Sequence, residues 1–187
     1  MKRRSKEETR ARVVDAAYGL FWRQGFLRVS ADEIAARAGI TKRTLYQHFP
    51  SKDDIITAAL AHSSELALAR FEAFPRGAQP RDLINSFFAQ LGEWAGTPRW
   101  SGGGFTRVVV ELADQRGHPA RAIARKHKAL VERWLADALA ETKVADPSER
   151  AREVMLLMEG AMALMLIHGD RQYASAAARA ALRLIGA

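Results

Sequence analysis

The sequence contains no cysteine. Disulfide frameworks, thiolate metal sites and thiol redox sensing are therefore excluded, and a reducing cytoplasm is the expected compartment. Long apolar runs are missing too. A membrane-spanning helix needs about 18–20 consecutive apolar residues, and the most apolar stretch, Met155 to Ile167, is interrupted by Glu159 and Gly160. The basic start, Met1-Lys2-Arg3-Arg4-Ser5-Lys6, is not followed by the apolar core and cleavage site of a secretory signal. Strand-type alternation is scarce. Acidic residues are sparse in one place only: residues 1–52 hold 5 Asp/Glu against 12 Lys/Arg, a net of +7, whereas residues 53–187 hold 16 against 17. Nearly all of the chain's +8 thus lies in its first quarter. Charge concentrated in this way points to a polyanionic partner, nucleic acid or an acidic membrane surface.

What is present is helix-forming sequence almost throughout, and 48% hydrophobic residues are enough to build a core. The first helix is expected from about Lys6 to Gln24, with Val13, Ala16, Ala17, Leu20 and Phe21 on one face and Gly25 as a left-handed cap. Ser30-Ala31-Asp32-Glu33 reads as a capping box opening a short helix to about Ala38. Gly39 breaks it, and Thr41 caps a second short helix, about Lys42 to His48. Phe49-Pro50 stops that one, and Ser51-Lys52-Asp53-Asp54 begins a longer helix to about Phe74. After the break at Pro75, Gly77 and Pro80 comes a helix over about 81–95. An irregular stretch, Gly96 to Gly104, and a short apolar segment, Phe105 to Leu112, follow. His118 reads as a cap ahead of Pro119, which starts a long helix to about Thr142. Asp146-Pro147-Ser148-Glu149 reads as an acidic cap for a helix to about His168, and an Ala-rich helix over about 174–185 ends the chain. No internal repeat is evident.

The two short helices around Gly39 have the ingredients of a helix-turn-helix. Ala35 is the small residue that lets the second helix pack close, Gly39 supplies the turn, and Ile34, Ala38, Ile40 and Leu45 lock the angle. Their context sharpens this. Val13-Val14-Asp15-Ala16-Ala17, Leu20-Phe21, Gly25-Phe26, Ile34-Ala35, Ala38-Gly39-Ile40-Thr41, Leu45-Tyr46, His48-Phe49 and Ser51-Lys52 stand in the order and spacing of the N-terminal domain of the TetR family, without a gap over residues 9–60. Farther on, Gly103-Gly104-Phe105, His118-Pro119-Ala120-Arg121, Asp146-Pro147 and Glu159-Gly160-Ala161 resemble one branch of the family's C-terminal domains.

The resemblance implies an all-α chain of about nine helices: a DNA-binding domain over residues 1–52, a connecting helix from 52 to about 74, and an effector-binding and dimerisation domain over 53–187. It implies a ligand-responsive repressor that binds a palindromic operator in double-stranded DNA as a homodimer, without a cofactor and without catalysis. The recognition helix would enter the major groove by its N-terminal residues. Lys42 and Arg43 would then read guanine edges, and Thr44 would meet a thymine methyl or a phosphate. Tyr46 and His48 resemble the family's phosphate contacts, and Lys52 would hold a phosphate at a helix start. Ser30 and Thr41 are caps first, with a phosphate within reach. Arg28 is a further phosphate candidate, and Arg3, Arg4 and Lys6 form a basic arm. Family members often have Thr where this chain has Val29, whose side chain cannot bond a phosphate.

For the rest of the chain the expectations come from apolar character. A small, largely apolar effector is expected against some of Leu66, Phe87, Phe88, Trp94, Trp100, Phe105, Val109, Trp134 and Met158, large side chains that would also serve as core. Val154, Leu157, Met158, Ala161, Met165 and His168 follow helical spacing and are the expected dimer face. The five histidines, His48, His62, His118, His127 and His168, contain no i, i+4 pair, so no metal is expected. No nucleophile–base pair stands out, and Gly102-Gly103-Gly104 lacks the flanking residues of a phosphate loop. Two rivals remain. An effector-binding dimer or small enzyme with a degenerate helix-turn-helix should have lost the basic and capping residues of 41–52, all of which are present. A basic N-terminus lying on a membrane is disfavoured, because the first helix's apolar face suits a three-helix core.

Overall fold

A computed structural model of the chain describes residues 5–71, 74, 79–98 and 100–187. Among them the structure is all α: α1 (Lys6–Gln24), α2 (Ala31–Ala38), α3 (Lys42–His48), α4 (Lys52–Phe71), α5 (Pro80–Ala95), α6 (Gly104–Glu111), α7 (Pro119–Glu141), α8 (Pro147–His168) and α9 (Gln172–Ile185). The short apolar segment after the glycines is the helix α6. Arg3, Arg4, Pro75 and Gly77 lie outside the described residues. No described helix is long and apolar enough to cross a membrane.

Local chemistry sets most of the early boundaries. Ser5 and Glu8 form a capping box at α1, and Ser30 and Glu33 form another at α2. Thr41 Oγ1 accepts the Thr44 N–H at 3.1 Å to start α3. Ser51 and Asp54 exchange side-chain-to-backbone bonds of 2.9 and 3.1 Å at the start of α4. Each bond satisfies an amide that the first helical turn leaves unpaired. His118 Nδ1 accepts from the Ala120 N–H at 3.2 Å, so that cap too is made. Two expected caps differ. Asp146 sits in the left-handed region at φ 52°, ψ 53° and makes no side-chain cap bond, so α8 begins without one. Gly25 has φ 101° and ψ 156°, a conformation open almost only to glycine rather than the left-handed cap.

The chain divides into two compact units. The first is Met1–Ala67 with Gly104–Lys126, and the second is Leu68–Gly103 with His127–Ala187. The expected boundary at residue 52 is the start of α4, whereas this division falls inside α4 and α7, which run through it as continuous helices. The first unit takes in α6 as well, whose Phe105 and Val108 join the core of Phe21, Phe26, Ile34, Leu45, Phe49 and Leu60. Gly104 makes this possible, since a Cβ there would collide with the Trp22 ring. The second unit's core is built on α5, α8 and α9, with Ile84, Phe88, Leu135, Val154 and Ala181 among its buried residues.

Candidate nucleic-acid interface

The short helices α2 and α3 are too brief to hold alone. Their inner faces, Ile34, Ala35, Ala38 and Leu45, are buried under α1, and Val29 is fully buried beside them. Gly39 turns the chain at φ 64°, ψ 42°. Two cations of α1 tie the outgoing ends: Arg12 donates to the Ala38 carbonyl and Arg10 to the His48 carbonyl, and the Arg10 guanidinium lies 4.1 Å from the centre of the Phe49 ring. Part of the basic charge of residues 1–52 therefore serves helix C-termini, where carbonyls and the helix dipole favour a cation.

What is left outward is the N-terminal end of α3. Arg43 is exposed and makes no hydrogen bond or ion pair among the described residues. Lys42 is exposed and pairs with Asp32 at 2.9 Å, a carboxylate that raises its ammonium above the ordinary lysine value. An ion pair this exposed is weak and yields readily to a phosphate. Thr44 is half-buried and its hydroxyl lies 2.9 Å from that of Thr41. Tyr46 is 42% exposed although it stands beside the buried Leu45. His48 is half-buried, with its Nδ1 covered and unbonded among the described residues. The Ser30 hydroxyl donates to Glu33 at 2.8 Å, so its proton is committed within the cap. The Ser30–Glu33 bonds also hold that carboxyl below its usual range.

Lys52, half-buried at the start of α4, donates to the Leu27 carbonyl at 2.8 Å. Burial pushes its ammonium below the ordinary value, against the opposing pull of Asp53, Glu111 and Glu33. The sequence offered no signal for this docking, nor for Arg10 and Arg12 as caps, because each bond joins residues far apart in the chain.

The expected effector residues separate. Phe87, Phe88, Trp94, Trp100, Trp134 and Met158 belong to the second unit's core or pack against it. Phe105 and Val109 belong instead with the first unit's core, and Leu66 is 41% exposed on α4. Two rings not singled out from the sequence flank Trp134: Phe71 stacks on it with ring centres 4.6 Å apart, and Phe74 meets it edge to face at 5.1 Å. Trp94 and Trp100 meet edge to face at 5.8 Å. The Trp100 indole N–H is buried and finds no acceptor among the described residues.

The residues of the expected dimer face lie mostly inward. Val154, Met158, Ala161 and Met165 are buried in their own unit, Leu157 packs against that core, and His168 is exposed and stacked on Tyr173 at 5.4 Å. α8 is apolar around most of its circumference, and spacing alone does not say which stripe faces inward. The outward stripe is Leu156, Leu164 and Ile167, with Leu166 beside it and Leu184 on α9. Among the described residues, no three His, Asp or Glu side chains converge to hold a metal.

Residues 13–59 match the family model described as bacterial regulatory proteins, tetR family. The chain is 35% identical over 97 residues to the HTH-type transcriptional regulator TtgR of Pseudomonas putida, a stretch covering 46% of each chain. It is 39% identical over 97 residues to the probable regulator ArpR of the same species, again 46% of each. The chain thus spans about half the length of the curated relatives it matches. A putative TetR-type transcriptional regulator from Streptomyces avermitilis superposes with a TM-score of 0.82 at 29% identity, over 95% of this chain and 98% of that one. A TetR-family regulator from Streptomyces coelicolor superposes at 0.83 with 25% identity, over 97% of both.

Proposed function

We propose, from the premise that this chain belongs to the tetR family of bacterial regulatory proteins, that it is a DNA-binding transcriptional regulator. The observation that carries the reading is the outward end of α3: Arg43 without a partner among the described residues, Lys42 in an exposed ion pair, and Tyr46 beside them, all fixed by a capped start and a buried inner face. Such an end fits the major groove, with Arg43 on base edges and Lys42, Tyr46 and Lys52 on phosphates. Ser30 and Thr44 commit both hydroxyl and backbone amide to the helix caps, Ser30 to Glu33 and Thr44 to Thr41, so in this reading they shape the interface rather than hold a phosphate.

The regulator acts as a homodimer on a palindromic operator in the cytoplasm. Its partner face is the outward stripe of α8 and α9, Leu156, Leu164, Ile167 and Leu184, which a two-fold copy would cover as a four-helix arrangement. Repression relieved by a small effector is the expected mode. The effector is largely apolar and lies within the second unit near Trp94, Trp100 and Trp134. It carries an acceptor oxygen for the Trp100 N–H, which has no acceptor among the described residues, since a buried donor without a partner costs about 1–3 kcal/mol.

The test is selection of bound sites from random duplex DNA, followed by binding to the enriched site across a salt series. A palindromic consensus bound with a steep salt dependence is expected. Failure to enrich any sequence would overturn the reading.

A further inference from the structure

Glu111, on α6, lies 84 residues beyond the turn that follows α1, yet its carboxylate closes that turn. Oε2 accepts the N–H of Phe26 at 2.8 Å and of Leu27 at 2.9 Å. Oε1 accepts the Nε–H of Arg107 at 2.8 Å, and Arg107 Nη1 reaches the Trp22 carbonyl at 3.3 Å. One ion pair therefore satisfies a carbonyl from the last turn of α1 and two amides of the turn beyond it. Gly25 leaves the room. A Cβ there would stand 2.7 Å from Arg107 Nη2 and 2.9 Å from Glu111 Oε1.

The same turn supplies the carbonyl that Lys52 uses. Leu27 gives its N–H to Glu111 and its C=O to Lys52 Nζ at 2.8 Å, so one peptide-bonded residue connects the carboxylate to the ammonium. Docked on one carbonyl, the ammonium has two further N–H groups to offer. A lysine side chain has considerable rotamer freedom to lose on being fixed. A site that fixes it beforehand spares that cost when a phosphate arrives.

We infer that Glu111 is a positioning residue for DNA binding: it holds the 25–28 turn so that the Leu27 carbonyl presents the Lys52 ammonium to the phosphate backbone. The inference rests on the DNA-binding reading above, and it makes α6 part of the DNA-binding apparatus although α6 carries no expected DNA contact. It also predicts a sign that charge alone does not. Deleting a carboxylate from a protein that binds a polyanion should tighten binding if only long-range Coulomb attraction matters. Loss of positioning should weaken it.

The experiment measures fluorescence anisotropy of a random-sequence duplex of about 30 base pairs over a salt series, with wild type, Lys52→Ala, Glu111→Gln, Glu111→Ala and the double variant Lys52→Ala/Glu111→Ala. Circular dichroism melts establish that each is folded. Lys52→Ala should lower the log–log salt slope by about 1. Glu111→Ala should weaken binding several-fold and lower the slope by nearly as much. Adding Glu111→Ala to Lys52→Ala should cost nothing further, because the two act through one contact. Glu111→Gln, which keeps an acceptor for the turn but loses the Arg107 ion pair, should fall between wild type and Glu111→Ala. It decides the matter if the alanine variant does not fold. Folded Glu111 variants that bind as tightly as wild type or more tightly, with an unchanged slope, would overturn the inference. A wild type that binds no duplex at all would instead overturn the reading beneath it.

Discussion

The two compact units are built by different means. The first holds 17 Lys/Arg against 10 Asp/Glu, a net of +7, while the second holds 12 against 11. In the first, α1, α2 and α3 each start on a side-chain cap, and arginines close the ends of α2 and α3. In the second, α5 and α8 start without a side-chain cap bond, α9 takes one from Asp170, whose carboxylate accepts the Gln172 N–H at 2.8 Å, and all three are held by apolar packing of Ala, Met and aromatic residues. For the two shortest capped helices the reason is length: helices of 7 and 8 residues cannot nucleate on their own and depend on their terminal bonds, whereas α8, at 22 residues, buries enough surface to start without one.

The comparison can be broken most forcefully on α8. Met165, 2% exposed, and Leu156, 70% exposed, are close in size but opposite in placement. Met165→Ala should destabilise the second unit by about 2–5 kcal/mol in denaturant melts. Leu156→Glu should leave that stability nearly unchanged and instead shift sedimentation from dimer to monomer. Equal losses of stability for both would refute the assignment of inner and outer stripes.

Acid should separate the units next. Burial, with Lys128 adding to it, lowers the His127 imidazole to about 4, well under its ordinary 6.5. The unfolded chain then binds the extra proton between about pH 6.5 and 4, so stability is lost as pH falls through that window. The total is on the order of 3 kcal/mol. His127→Gln should flatten the dependence. Trp94, Trp100 and Trp134 emission should report the loosening before Trp22, which belongs to the first unit; simultaneous changes would count against it.

Within the first unit, Arg43→Ala should relax preference at one base position by about 1–3 kcal/mol in a panel of operator variants. Lys52→Ala should weaken all sequences alike. A uniform loss for Arg43→Ala would remove it from the base edges. The smallest effect sharpens the contrast in capping. Thr41→Ala should cost about 1 kcal/mol of stability, whereas Asp146→Asn, which removes a carboxylate that caps nothing and keeps a side chain suited to the left-handed backbone, should cost next to nothing. Equal costs in urea titrations would erase the distinction.

Signals written in neighbouring residues were legible from the sequence. Ser30 with Glu33, Thr41 with Thr44, Gly39 between two short helices, and Pro147 and Pro119 as helix starts all act within a turn or so. The chemistry of capping and backbone torsion therefore determined α2, α3 and the start of α7 before any packing was known. The concentration of positive charge and the motif's apolar lock pointed to the face that α3 presents. Asp146 marks the limit of such reasoning. Its neighbours spell a cap, but it sits in the left-handed region, and its carboxylate makes no bond to the amides.

Tertiary structure alone decided the choices between equivalent stripes and distant partners. Periodicity makes Met165 and Leu164 both apolar positions of one helix, and only the packing of α5 and α9 buries the first and leaves the second 38% exposed. Phe105 and Val109 are as apolar as Phe87, but the fold spends them on the first unit because Gly104 brings α6 onto Trp22. Lys52 reads as a free cation until the Leu27 carbonyl, 25 residues away, is seen to hold it. A sequence specifies local geometry directly, through torsions and caps a few bonds apart. Which faces meet depends on how the whole set of apolar surfaces is best buried, and that is settled only when every helix has found its place.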